Sequence, residues 1–350
     1  GNLDALPEGS RYQIFTAPGD QSLLARATRL LRAVLPVDVV AVDEEGHEGR
    51  YSQMTHYHRR AITDARGAAL IFASPDSLLS TDALRYVVAR HAVGMRAVVV
   101  PPVRLTKESV LPALVARGSA AFAPRELVRF ALDHLHPATL AYMADASRFN
   151  AFPTGLQWRV GEEGMISRSF HLYPLMLAPV HLALPARTID SNYIEHCVPN
   201  MEDIDVVTDS DVLAMFDLTA KRRYGGRAKT RTMRIWRLAS VAGRCSPHHL
   251  LFWRHAIRLH TDVLDARWSA VEKESAAIAD LVLARRHLAR RLHPMLRVIS
   301  SMQQRVERRA RDLRRRAPRL RLKRIVRVVA IARKRVRRKM KRPSRGGAET

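Results

Sequence analysis

Residues 69–77 read ALIFASPDS, an apolar run that ends in a turn built from serine, proline and aspartate. Such a short run, bounded by turn residues, predicts a buried strand. Three similar runs lie around it, YQIFT at 12–16, VDVVAV at 37–42 and RAVVV at 96–100. Helical patterns separate these runs, and the alternation predicts an α/β fold with a mostly parallel open sheet and helices on both faces. The four strands are expected to be neighbours in that sheet.

The helical patterns between the strands cover residues 21–35, 51–66 and 81–93. In the first of them apolar residues recur at the spacing of one helix face, and all three are predicted to be helices that cover the sheet. The apolar residues of the first pattern are Leu23, Leu24, Ala27, Leu30, Leu31 and Val34.

Positive charge is concentrated at one end of the chain. The formal net charge is +26 over 350 residues, and residues 305–345 contain 21 Lys and Arg against two acids. We therefore separate a basic tail at 305–350 from an α/β domain at 1–245 and a helical segment at 246–304. The two cysteines form no CxxC motif, which argues against a disulfide framework and against a structural zinc site.

Charged residues follow several predicted strands. Because ligands of open parallel sheets bind at the carboxyl ends of the strands, these residues predict a site for a nucleotide and a hard divalent cation, Mg²⁺ or Mn²⁺. The residues concerned are Asp20, Asp43, Asp76, Arg104, Asp209 and Asp211. The chain has neither GxGxxG nor GxxxxGK[ST], which argues against a dinucleotide fold and a P-loop.

Several motifs in residues 10–220 resemble GT-A-type bacterial glycosyltransferases, the first four of them the nucleotide-binding half of that family. They are YQIFTAPGD, HRRAITDARG, ALIFASPDSLLS, GMRAVVVPPVR, SFHLYPLMLAP, TIDSNYI and VVTDSD. In that family an acidic motif after a central strand binds the metal and the diphosphate of a sugar nucleotide, and residues 74–77 hold a similar place. Asp76 is a single carboxylate there, whereas the family's DxD motif has two.

The resemblance implies a role for each candidate residue. Asp43 would contact the nucleoside, Asp76 the diphosphate or the metal, and Arg104 a phosphate. Asp209 or Asp211 would form a second metal site or act as the base that activates the acceptor. His171 would be a metal ligand or a sugar contact.

Structural interpretations compete with these roles. Asp209 is equally suited to cap a helix over 212–218, and Asp76 to cap a helix over 78–88, since aspartate favours N-cap positions. A single histidine among apolar residues, such as His171, is often a hydrogen-bonded residue of the core.

The tail combines cations with apolar residues that share one helical face. These apolar residues are Leu322, Ile325, Val326, Val329, Val336 and Met340. A basic amphipathic helix is typical of segments that lie in an anionic membrane surface. Nucleic acid is the rival partner because Lys/Arg runs also neutralise phosphates, although residues 305–345 have no aromatic side chain for base stacking. A solvated tail without a partner is the third hypothesis.

Two functions follow from these features. The first is a glycosyltransferase that moves a sugar from a nucleotide-sugar donor to a cell-envelope or lipid-linked acceptor. The second is a non-catalytic binding or scaffold protein whose tail binds nucleic acid or anionic lipid. No signal-peptide pattern opens the chain, and its most apolar run, 172–186, is too short to span a bilayer. We therefore predict a cytoplasmic protein that is peripheral to the inner membrane.

Overall fold

The computed structural model describes residues 2–42, 50–150, 153–182, 193–223, 228–230, 233 and 235–316. The chain divides into two compact units, residues 1–291 and 292–350. Helices and strands alternate through much of the first unit, as expected for an α/β fold.

The helices are α1 Gln21–Ala27, α2 Arg50–Asp64, α3 Ala83–Ala92, α4 Lys107–Arg117, α5 Pro124–Asp133, α6 Pro137–Leu140, α7 Tyr193–Cys197, α8 Ile235–Ala242, α9 Pro247–Arg254 and α10 Ala266–Arg316. The strands are β1 Tyr12–Thr16, β2 Val37–Ala41, β3 Leu70–Ile71, β4 Ser77–Leu79, β5 Ala97–Val100, β6 Arg104–Thr106, β7 Phe149–Asn150, β8 Gly155–Val160, β9 Gly164–Ser169, β10 Tyr173–Leu177, β11 Ile204–Val206, β12 Met215–Thr219, β13 Ala228–Thr230 and β14 Ile257–His260.

Strand β5 lies inside a four-stranded sheet of order β11-β5-β10-β3. Its four residues are at most 1% exposed, and they alternate between two apolar clusters. Ala97 and Val99 pack into one cluster, whereas Val98 and Val100 pack into the other. An uninterrupted run of Ala and Val suits this position because both faces of the strand are covered.

The sheets mix parallel and antiparallel strands, so the prediction of one mostly parallel open sheet is not confirmed. Strands β1 and β2 are parallel to each other but form a separate two-stranded sheet. Strand β10 lies between β3 and β5 and runs antiparallel to both. Strand β10 comes about 75 residues after β5 in the chain. It separates β5 from β3, which the sequence had predicted to be neighbours in one sheet.

Two other sheets position the candidate site residues. One has the order β4-β12-β6, with β12 antiparallel to β4 and parallel to β6. The other has the order β14-β9-β8 and is antiparallel throughout. Strand β14 lies in the segment 246–304 that the sequence predicted to be helical.

Both predicted helix caps are wrong. The residues after Asp76 form strand β4, and α3 begins only at Ala83. The residues after Asp211 pass through a turn into strand β12. Neither Asp76 nor Asp209 therefore opens the helix that was expected to follow it.

Candidate metal centre and a second acidic group

Strand β14 runs beside the chain that leaves β11, and this pairing places Asp209 next to His260. Asp209 and Arg258 form a parallel bridge. The Ser210 amide donates to the Arg258 carbonyl at 3.0 Å, and the Arg258 amide donates to the Thr208 carbonyl at 2.8 Å. The Ser210 hydroxyl accepts from the His260 amide at 3.1 Å. Backbone pairing therefore holds Asp209 beside His260 independently of the contact between their side chains.

Asp209, Asp211 and His260 form a group whose potential ligand atoms all lie within 4.8 Å of one another. Nε2 of His260 is 2.9 Å from Oδ1 of Asp209 and 3.8 Å from Oδ1 of Asp211. Metal–oxygen and metal–nitrogen bonds of about 2.0–2.2 Å separate neighbouring ligand atoms by roughly 3–4 Å. The three residues therefore fit one divalent cation.

The tautomer of His260 strengthens this fit. Nδ1 lies 2.7 Å from the Asp262 carbonyl, which can only accept, so Nδ1 carries a hydrogen. Nε2 faces the Asp209 carboxylate, and either a proton or a cation must lie between these two acceptors. The Asp209 carboxylate accordingly raises the pKa of His260, and the hydrogen bond from His260 lowers the pKa of Asp209. A ring nitrogen fixed by a backbone carbonyl is the usual arrangement of a metal-ligating histidine.

The group is closed on one side and open on the other. The His260 side chain is 2% exposed, whereas those of Asp209 and Asp211 are 34% and 37% exposed. Arg125 donates from Nε and Nη2 to the two oxygens of Asp211, at 2.8 and 2.7 Å. This pairing lowers the pKa of Asp211. Carboxylates kept ionised at an open surface suit a cation that also has to contact a substrate.

Gly164 allows the close packing around His260. A Cβ atom at Gly164 would lie 2.0 Å from the Leu259 carbonyl oxygen and 2.8 Å from a ring carbon of Trp268. Trp268 in turn lies edge-on to the His260 ring, with 5.7 Å between centroids. The missing side chain at Gly164 thus lets β9, β14 and the start of α10 meet behind the histidine.

A second polar group surrounds Asp217 in strand β12. The register of the sheet sets Asp217 opposite Ser77 on one side and Arg104 on the other. The Ser77 hydroxyl donates to Asp217 at 3.0 Å. Burial raises the pKa of Asp217, the Arg104 charge lowers it, and the Asp76 charge raises it. Asp217 is thus a half-buried carboxyl group whose charge is only partly compensated.

The structure separates the predicted site residues into two groups. Asp76 and Arg104 both act on Asp217, whereas Asp209 and Asp211 meet at His260. The only described group of three or more potential metal ligands contains Asp211 but not Asp76. Asp43 lies outside the described residues.

His171 belongs to neither group. Its ring packs against the ring of His249, with 4.5 Å between centroids. Its backbone amide and carbonyl both contact the Ser169 hydroxyl. His171 is half-buried, so it is neither a fully buried core residue nor a fully exposed residue.

His260, Arg125 and Asp217 were not found from the sequence. The apolar residues Ile257 and Leu259 alternate with Arg258 and His260, a strand signal that was overlooked inside a segment interpreted as helical. Arg125 and Asp217 reach their partners through contacts between remote parts of the chain, to which local patterns are insensitive.

Comparisons with protein-family models, with curated proteins and with solved structures give no match to this chain. The resemblance to glycosyltransferases therefore rests on the quoted motifs alone. Among the described residues, no helix is both long enough and apolar enough to cross a membrane.

Proposed function

We propose that this protein is a divalent-cation-dependent glycosyltransferase whose cation binds Asp209, Asp211 and His260. The observation that carries the proposal is the convergence of these three ligand atoms at the end of a strand, within 4.8 Å of one another. Two of the ligands come from the one literal DxD sequence that follows a predicted strand, which is the motif expected to hold a sugar nucleotide's diphosphate.

The three proposed metal ligands favour manganese over magnesium. Magnesium prefers oxygen ligands in a strict octahedron, whereas an imidazole nitrogen beside two carboxylates is better matched by Mn²⁺. A bound cation would neutralise the charge that develops on the diphosphate leaving group. Arg125, which contacts Asp211, would add hydrogen-bond donors for the same phosphates.

The two acidic groups suit different tasks. The lowered pKa values of Asp209 and Asp211 fit metal ligands and make them weak bases. Asp217 has a raised pKa, so it is the better candidate to accept the proton of the acceptor hydroxyl. In this proposal Asp76 and Arg104 remain contacts of the donor.

The scaffold hypothesis drew its support from the single carboxylate at Asp76. Asp217 now supplies a second carboxylate that interacts with Asp76. We therefore favour the enzyme and treat a non-catalytic protein as the outcome to be excluded.

Calorimetric titration of the full chain with UDP- and GDP-sugars, with and without Mn²⁺, tests the proposal. We expect one donor to bind only with Mn²⁺, and Asp211→Asn to abolish this binding. Asp76→Ala should lose the donor while keeping Mn²⁺. The control is Asp145→Asn, an aspartate whose side chain is 67% exposed and lies outside the group. Binding of Mn²⁺ without binding of any nucleotide sugar would exclude a glycosyltransferase.

We also propose that residues 305–345 attach the protein to an anionic membrane surface from the cytoplasmic side. Residues 317–350 of the tail lie outside the described residues, and 305–316 belong to α10. Replacing Ile325, Val326 and Val329 with Ser keeps every cation and removes apolar contact. At raised salt, where charge attraction is screened, the Ser variant should bind phosphatidylserine vesicles more weakly than the wild type. This result would support membrane attachment. Unchanged vesicle binding together with preference for duplex DNA would assign the tail to nucleic acid.

A further inference from the structure

The segment 21–35 exposes large apolar side chains that the sequence predicted to pack on a sheet. Leu23, Leu30 and Val34 are 71%, 80% and 61% exposed. They recur seven and four residues apart, a spacing typical of one face of a helical segment. Helix α1 ends at Ala27, and a turn and a short 3-10 helix at Leu31–Ala33 follow, with further backbone hydrogen bonds of helical and 3-10 type up to Leu35.

The opposite face of the same segment is attached to the protein. Thr28 and Leu35 are 6% and 9% exposed. The Arg32 guanidinium donates to the Thr28 hydroxyl at 3.2 Å and to the Val37 carbonyl at 3.0 Å. The segment is therefore held to the protein through Thr28, Arg32 and Leu35, while Leu23, Leu30 and Val34 stay exposed to solvent.

The charges of the segment are all of one sign. Residues 21–37 contain Arg26, Arg29 and Arg32 and no acid, with Asp20 and Asp38 at the two ends. Arg26 and Arg29 are exposed beside the apolar residues. A protein partner would need an apolar patch with acids around it, whereas an anionic lipid surface offers both features by its chemistry.

We propose that Leu23, Leu30 and Val34, together with Arg26 and Arg29, form a docking face for an anionic membrane surface. The three apolar side chains enter the boundary between headgroups and acyl chains, and the arginines contact lipid phosphates. Long arginine side chains can extend to the headgroups while their aliphatic parts stay in apolar surroundings. These residues belong neither to the basic tail segment nor to the group of Asp209, Asp211 and His260.

An environment-sensitive fluorophore at position 27 tests the face directly. Ala27 is exposed on the same stretch, and an Ala27→Cys variant of the full chain can be labelled selectively. The native thiols compete poorly, because Cys197 is buried, Cys245 is half-buried, and burial raises both pKa values to about 12. We expect a blue shift on vesicles with phosphatidylserine and none on neutral vesicles. A label on Val115→Cys, at an 81% exposed site in α4, should not shift.

A triple substitution measures the contribution of the face to binding. Leu23→Ser, Leu30→Ser and Val34→Ser together should lower the vesicle partition coefficient at least about tenfold, because three apolar side chains no longer leave water. The matched control replaces Val93, Val115 and Val263 with Ser, at sites 65%, 81% and 70% exposed on other elements, and should keep wild-type binding.

Three outcomes would overturn the proposal. The first is vesicle binding without a shift at position 27, which leaves attachment to the tail alone. The second is an equal loss of binding in both triple variants. The third is a shift that grows with protein concentration without lipid, which identifies a second copy of the chain as the occupant.

Discussion

The candidate metal centre and the group around Asp217 both contain aspartates, between strands β11 and β12 and within β12, yet their charges are controlled in opposite ways. Asp209 and Asp211 lie at a partly open surface and have His260 and Arg125 as partners, which lower their pKa values. Asp217 lies inside a sheet between Ser77 and Arg104, and burial raises its pKa.

Partners and burial therefore decide what a carboxylate can do. An aspartate with a cationic partner stays ionised at neutral pH and suits cation binding. An aspartate buried with incomplete compensation holds its proton to higher pH and suits proton transfer. Environments that shift pKa values in opposite directions divide the work between chemically identical residues.

The largest expected difference between the groups is in metal affinity. Asp209→Asn should weaken Mn²⁺ binding by at least about 100-fold, because loss of a ligand exceeds the 10–100-fold typical of outer contacts. Asp217→Asn should leave Mn²⁺ affinity unchanged. Titration calorimetry of both variants checks this, and a comparable loss in Asp217→Asn would merge the two groups into one site.

A change behind the metal centre should affect folding as well as binding. Gly164→Ala places a methyl group against the Leu259 carbonyl and Trp268, so β9 and β14 must move apart. We expect the free energy of unfolding to fall by about 3 kcal/mol and Mn²⁺ affinity to fall with it. Urea denaturation measures the first quantity.

Gly118→Ala is the control for this substitution. Gly118 also has a positive φ, of 70°, but a Cβ atom there meets nothing within 4 Å. Only backbone strain of about 1 kcal/mol is expected, without a change in Mn²⁺ affinity. Equal losses in both variants would mean that the contact with β14 is unimportant.

The sequence predicted the elements whose signals are local. Strand β1 has the predicted bounds, and β2 and β5 differ from their predictions by a residue at one end. The Asp209-Ser210-Asp211 motif was also identified, since an acid pair after an apolar run is a local feature. In each case a few adjacent residues contain all the information.

Features set by remote contacts were not predictable in this way. Strand β10 lies in the apolar run 172–186, for which no strand was predicted, yet it pairs with β5 and β3 and changes the order of the sheet. His260 reaches Asp209 through the bridge between β14 and the end of β11. In residues 21–35 a regular apolar spacing predicted burial, but the periodicity cannot tell which of two apolar faces meets the protein.

The His260–Asp209 pair should stabilise the protein only over a limited pH range. The pKa of His260 is raised on folding, so its contribution is complete below the unfolded value of about 6.5 and is lost as pH rises through the folded value. His260→Gln should therefore cost about 2 kcal/mol near pH 5.5 without metal. The difference from wild type should shrink in alkaline buffer. A cost that does not change with pH would assign the histidine to packing alone.

Asp217 should give the smallest effect, with the opposite dependence. Its folded pKa lies above the unfolded value of about 3.9, so ionisation costs stability as pH rises through the folded value. Asparagine has the shape of the protonated acid and avoids this cost, although Arg104 loses a charge partner. Relative to wild type, Asp217→Asn should gain about 1 kcal/mol between pH 3.5 and pH 7, as expected for a carboxylate with incomplete hydrogen bonding.

Urea denaturation at both pH values measures this gain, with Asp145→Asn as the exposed control. A relative loss of stability at pH 7 would mean that Arg104 and Ser77 compensate the charge fully. Asp217 would then resemble Asp209 and Asp211, a carboxylate kept ionised by its partners, and it could not serve as the proton acceptor. The contrast between the two groups thus depends on the sign of one small free-energy difference.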